Sequence, residues 1–159
     1  MATVLDSLFF SSVLTSAYQD ELERLLFFNP QQETIDTWIM ESVERYGNPK
    51  IVNDAGLLRV SIGTLSHVQT LFALETNGSD RNLIGVIVHF REDVENMTIL
   101  HVAVREDYSA SGDHADAMLA MRLINKVLES ASRIKGVRSV TLIYQAGGVK
   151  RIPVRHVGK

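Results

Sequence analysis

The sequence predicts an α/β domain of the α+β kind: a mixed, mostly antiparallel sheet with N-terminal helices and one long crossover helix. Three observations carry this. Segments 68–75, 83–90 and 97–104 are short, rich in β-branched and apolar residues, and separated by turn chemistry. Residues 117–135 carry the period of an amphipathic helix. A further alternating run, 137–144, follows that helix directly, so it is expected to run parallel to the strand that precedes the helix.

Taken in order, two helices are expected first. Over residues 6–28, Leu14, Tyr18, Leu22, Leu25 and Leu26 recur at three- and four-residue steps. The second helix begins at Asn29-Pro30, where Asn can cap, Pro suits the first helical position and Gln32 can reach back. Ile35, Trp38, Ile39, Val43 and Tyr46 form its stripe, and Gly47 followed by Asn48-Pro49 ends it. This makes residues 1–48 a helical N-terminal part.

Residues 57–144 supply the sheet and the crossover helix. Leu58, Val60 and Ile62 alternate with Arg59 and Ser61, which reads as a half-buried strand. The segment 76–82 is turn chemistry with Asn77-Gly78 at its centre. Residues 83–90 are almost wholly apolar and are expected to be covered on both faces. After the charged turn 91–96 comes the strand 97–104, so the three strands form an antiparallel meander. On the long helix, Met118, Met121, Ile124, Val127, Leu128, Ala131 and Ile134 are placed on the buried side. Arg122, Asn125, Lys126, Glu129 and Arg133 are placed on the other. Gly136 ends the helix. The tail, residues 145–159, is basic, and Pro153 restricts any strand there to an edge.

The totals narrow the function classes. A chain of 159 residues suffices for one domain with a real core. With no cysteine there are no disulfides, thiolate metal sites or cysteine nucleophiles, which fits a cytoplasmic protein. The formal net charge of −3 argues against a broad nucleic-acid surface. Residues 8–17 pass from apolar to small as a secretory leader does, but Asp6 stands where a basic start belongs. No apolar run approaches the roughly 20 residues of a membrane-spanning helix, so no membrane partner is expected.

The block from Ile99 to Tyr144 reads strand, polar loop, helix, strand. His101-Val102-Ala103-Val104-Arg105-Glu106-Asp107-Tyr108 and Arg133-Ile134-Lys135-Gly136-Val137-Arg138-Ser139-Val140-Thr141-Leu142 resemble the fourth strand, helix end and fifth strand of the GNAT superfamily, the GCN5-related N-acetyltransferases. The resemblance covers most of the chain in element order and about a third of it in residues. It implies acetyl-CoA or another acyl-CoA as cofactor, with no metal, and a small-molecule or peptide amine as acceptor. The pantetheine arm would pair with main chain at Val102 and Val104. The pyrophosphate would rest on a loop matched here by Ser109, Ala110, Ser111, Gly112, Asp113, His114 and Ala115. Bare N–H groups and the helix dipole favour an anion there. Against the family's Arg/Gln-x-x-Gly-x-Gly/Ala pattern only Gly112 is retained, and Asp113 and Asp116 add negative charge.

Acyl transfer to an amine needs a base for the ammonium proton and an acid for the departing thiolate. His101 lies in the right strand for the base and Tyr144 ends the last strand in reach of a thiolate. The plainer reading makes each a packed strand residue. His89 and His101 do not suggest a metal pair, because a turn pairing Phe90 with Met97 sends the two rings to opposite faces. The tail residues Lys150, Arg151, Arg155, His156 and Lys159 could hold a phosphate or protect a sheet edge. Two functions therefore stand side by side. One is an acyl-CoA-dependent N-acyltransferase of unknown acceptor. The other is a non-catalytic domain of the same fold that binds another ligand or a protein. An exposed edge in the tail makes a homodimer plausible.

Overall fold

A computed structural model describes residues 7–27, 46–108, 118–145 and 148–154, with side chains except at 77, 143–145 and 148–150. Among the described residues eight strands and two α-helices follow one another: β1 (Leu8–Ser11), α1 (Gln19–Phe27), β2 (Pro49–Asp54), β3 (Leu57–Ile62), β4 (Gln69–Asn77), β5 (Asp80–Arg91), β6 (Asn96–Val104), α2 (Leu119–Ser132), β7 (Ser139–Gln145) and β8 (Gly148–Pro153). Six strands form one sheet in the order β1-β4-β5-β6-β7-β8, and β2-β3 is a separate two-stranded hairpin. All neighbours in the large sheet are antiparallel except β6 and β7. The fold is therefore α+β with a mostly antiparallel sheet, and the strand–helix–strand crossover produces the one parallel pair.

The sheet has a core on each face. On one side Leu22, Leu25 and Leu26 of α1 and Leu58, Val60 and Ile62 of β3 pack on Phe72, Leu83, Val86, Val88 and Phe90. On the other, Leu119, Leu123, Val127 and Ala131 of α2 pack on Ile87, Met97, Ile99 and Val140. Each of the larger of these side chains (Val, Leu, Ile, Phe, Met), fully buried, contributes roughly 1.5–3 kcal/mol from the apolar surface it removes from water. Gly85 lets α2 approach: a Cβ there would stand 3.1 Å from methyl carbons of both Leu119 and Leu123. On the first face, Glu21 accepts a 3.0 Å bond from the Leu83 amide, which fixes α1 over the start of β5.

Several sequence expectations change. The helix expected over residues 6–28 is a helix only from Gln19. Leu8-Phe9-Phe10 has strand-forming side chains and pairs with Ala73–Glu75 at the sheet edge. The Ser11 hydroxyl then bonds both the amide and the carbonyl of Val13, which turns the chain away before a helix can start. The turn between β4 and β5 centres on Gly78-Ser79, one residue beyond the expected Asn77-Gly78. Positive φ falls on Gly78 alone of the two central residues, the type II′ pattern. The strand β2 was not anticipated, because Asn48-Pro49 reads as punctuation rather than as a strand start.

The buried face of α2 lies further round than the expected stripe. Met118 is 61% and Met121 49% exposed, while Leu119 and Leu123 are fully buried. Met118 adopts left-handed backbone just before the helix, so it cannot share the helical stripe. The second expected N-terminal helix lies outside the described residues up to Tyr46. Its stop is visible: Gly47 has φ +105° and abuts Gly63, where a Cβ on Gly47 would come within 2.5 Å of the Gly63 Cα. The basic tail begins as β8, an edge strand ending at Pro153.

Candidate functional site

The parallel ladder between β6 and β7 is short. It pairs Asn96 with Ser139, Met97 with Val140, Thr98 with Thr141 and Ile99 with Leu142. Beyond Ile99 and Leu142 both strands continue, to Val104 and Gln145, with no further pairing to each other among the described residues. The two strands thus form a fork. Its closed end is clasped: the Arg138 and Ser139 amides both bond the Glu95 carbonyl, and the Ser139 hydroxyl donates to the Asn96 side-chain oxygen.

The open limb of β6 offers main chain to this fork. Arg105 donates its amide to the Ile84 carbonyl at 2.8 Å. Ladder alternation then turns Ala103 and His101 toward β5, and it turns the amides and carbonyls of Val102 and Val104 toward the side that β7 has left. A β-bulge sits where the fork begins. His89 pairs with Ile99 and Val88 with His101, so Leu100 is the extra residue. A bulge increases local twist, which is a physical reason for β6 to peel away from β7 at this point.

One rim of the fork is held by charge. After β6 a 3₁₀ turn, Glu106–Tyr108, brings Tyr108 back under the sheet, where it is buried. Its hydroxyl donates to one carboxylate oxygen of Glu75 in β4, and the Arg105 guanidinium donates to the other at 2.8 Å. Arg105 also grips Asp107 through both carboxylate oxygens, at 2.7 and 2.8 Å. Burial and the Glu75 carboxylate together push the Tyr108 phenol above its normal range, so it remains protonated. The Arg105 pKa moves further up, mainly through its bond to Asp107. This network anchors the segment that leaves β6.

The loop positions singled out in the sequence, Ser109, Ser111, Gly112, Asp113, His114 and Ala115, lie outside the described residues. Tyr144 has its main chain in the open limb of β7, and its side chain is outside the described set. Val102 and Val104 lie in the open limb of β6, beyond the last residue paired with β7.

His101 is 5% exposed and sits on the α1 face, opposite Val88. Burial lowers its pKa to about 4, so the ring is neutral at pH 7. His89 is 6% exposed and lies opposite Ile99, on the α2 face. Burial lowers its pKa to about 4 as well. The two imidazoles do face opposite ways, but not through the expected register. Arg91 rather than Phe90 pairs with Met97, and it is the extra residue at Leu100 that turns His101 over. Among the described residues no group of three or more His, Asp or Glu is arranged to hold a metal ion.

A cavity of about 620 Å³, which no sequence pattern announces, lies at the free end of β4. The strand β1 covers Phe72–Glu75 and leaves Gln69–Leu71 uncovered by it. The cavity wraps this stretch, with His89 beneath it and Lys126, Ser130 and Arg133 of α2 along its side. The Nδ1 of His89 is buried with no hydrogen-bond partner. Leaving such a group unsatisfied costs roughly 1–3 kcal/mol. No periodicity marks this place, because its residues come from four separate elements.

No helix among the described residues is long and apolar enough to cross a membrane. The chain matches no protein-family model, and it matches no curated protein in sequence.

Proposed function

We propose that the fork between β6 and β7 binds an acyl-CoA thioester, as in a GNAT-like domain, and presents it to an amine. One observation carries the reading: a parallel pair that stays zipped for four residue pairs and then opens beside a bulge, with Val102 and Val104 directing main chain into the opening. An amide-bearing pantetheine arm is a strand-like ligand, and an open strand limb is the surface on which it can pair. In the transfer itself the amine nitrogen bonds to the thioester carbonyl carbon and the C–S bond breaks. The sulfur leaves as thiolate and takes up a proton, and the ammonium proton is lost to a base. His101 and Tyr144 are the residues proposed for these two proton transfers.

One observation favours a second reading, a ligand-binding domain without chemistry. A His101 pKa near 4 makes the ring a weak proton acceptor at neutral pH. Two measurements separate the readings. Acetyl-CoA at millimolar concentration should raise the melting temperature, as any ligand selective for the folded state does. Release of free CoA thiol in the presence of mixed amines would then show transfer. A thermal shift without thiol release means a fork that binds the thioester and does not transfer its acyl group. No shift with any CoA thioester sinks the acyl-CoA reading and leaves the domain that binds another ligand or a protein.

A further inference from the structure

The cavity at the free end of β4 lies away from the fork. It sits on the β4 side of β5, against the second half of α2, whereas the fork opens on the β7 side of β6. Its use would be independent of acyl-CoA.

Its lining is chemically divided. Leu58, Val68, Leu71 and Val127 supply apolar walls. His89 also lines the cavity, and the Nδ1 of its ring is buried without a hydrogen-bond partner. The side contributed by α2 is cationic. Lys126 and Arg133 both line it, with Glu129 as the acid between them. Lys126 meets Glu129 only loosely, at 3.7 Å. One turn above Lys126, Arg122 carries a buried Nη1 with no hydrogen-bond partner, and both cations lie over the Phe10 ring at 5.5 and 5.3 Å. Positions 122, 126 and 133 thus form a cationic stripe along one side of α2, facing the sheet edge.

We infer that this cavity is a binding site for a short amphipathic anion, its charged head on Lys126 and Arg133, its apolar body along Leu71 and Val127, and a hydrogen-bonding tail group at His89. The neutral imidazole can both donate and accept, so a hydroxyl or amide suits it. Lys126 and Arg133 are seven residues apart, about 10 Å along the helix axis, so their long side chains converge to hold one anionic head. The volume is within the usual range for small-molecule sites, about 300–1,000 Å³.

The test is calorimetric titration of the full chain with hexanoate, hexyl phosphate, a terminally hydroxylated hexanoate and neutral hexanol. The hydroxylated acid should bind most tightly and hexanol at least about tenfold more weakly, the ratio expected for loss of one charge-assisted contact. Hexanoate against hexyl phosphate decides which anionic head the site takes. The double substitution Lys126→Ala, Arg133→Ala should abolish the preference for the anions over hexanol. Both side chains are exposed, so folding is preserved and any response to acetyl-CoA should persist. His89→Leu should erase the preference for the hydroxylated acid over hexanoate while leaving the anion preference. Absence of binding by every probe at 10 mM overturns the proposal, as does anion binding unchanged in the double variant.

Discussion

The Tyr108 hydroxyl donates to the Glu75 carboxylate across 33 positions of sequence, and Arg105 holds the other oxygen of the same carboxylate. Two strands that are not neighbours, β4 and β6, are thereby tied at one end of the sheet. The tie fixes the direction in which the chain leaves β6, and so the mouth of the fork.

Removing that hydroxyl should be costly. Tyr108→Phe strips one donor from a carboxylate that is mostly buried, and hydrogen bonds to charged groups contribute roughly 1.5–3 kcal/mol. Urea denaturation should show a loss of that size with an unchanged m-value. The phenol's raised pKa adds a pH signature. The unfolded phenol ionises near pH 10 and the folded one well above it, so the Tyr108 contribution is complete below pH 10 and falls away as pH rises beyond it. Wild type and Tyr108→Phe should therefore keep a constant gap up to about pH 10 and converge as pH rises above it, and a gap unchanged above pH 10 would refute the assignment.

The two buried histidines predict acid sensitivity. Both have pKa lowered from 6.5 to about 4. Below pH 6.5 the unfolded chain binds protons that the folded chain refuses, so stability falls as pH drops from 6.5 to about 4 and levels off beneath that. Each histidine contributes a slope of up to about 1.4 kcal/mol per pH unit. Replacing His101 or His89 by Gln should remove about half of the histidine-dependent slope. Guanidinium midpoints taken at half-unit intervals measure it. A slope unaffected by either substitution would mean that the rings are protonated in the fold.

Gly47 and Gly63 touch backbone to backbone. A Cβ at Gly63 would stand 2.4 Å from the Tyr46 carbonyl oxygen, and both glycines have positive φ. Gly63→Ala therefore meets steric overlap with rigid main chain as well as left-handed strain. Overpacking alone costs typically about 1–3 kcal/mol. The expected outcome is a loss at or above the top of that range, with Gly56→Ala as the control, since Gly56 shares the positive φ but faces open space. Equal losses for the two would show that conformation, not contact, sets the cost.

The clasp at the closed end of the fork makes a separate prediction. Ser139 donates to Asn96, whose amide nitrogen in turn reaches both carboxylate oxygens of Asp93 at 3.0 Å. Ser139→Ala leaves the Asn96 oxygen without this donor and should cost about 1 kcal/mol. Hydrogen exchange should quicken at Thr98 and Ile99, which lie in the four-pair ladder, more than at Val86 or Val88. Uniform quickening would indicate general destabilisation instead.

What the sequence made legible was whatever depends on near neighbours. The β4-β5-β6 meander follows from three β-rich runs between polar turns, and the parallel β6-β7 pair follows from the helix between them. Leu8-Phe9-Phe10 was misread because its residues can join a helical stripe on paper, and only the open edge of β4 recruits them as a strand. Met118 and Met121 were misplaced because two stripes on α2 are equally apolar, and the choice between them is made by Gly85 admitting Leu119 and Leu123. The Glu75–Tyr108 tie and the His89 cavity were invisible for a common reason: each depends on strand registers that include an extra residue, and alternation alone does not reveal where one falls.

The extra residue at Leu100 sets the parity of everything after it. Were Leu100 to pair with Val88 as in a regular ladder, inside and outside would be exchanged along the rest of the strand: His101 would roll over toward α2, Val102 and Val104 would trade faces with Ala103, and the amides now pointed at the opening would be consumed by β5. Deleting Leu100 would do the opposite, keeping His101 opposite Val88 and every later face in place while removing only the local twist. A one-residue deletion there should therefore be tolerated by the core and felt at the fork alone.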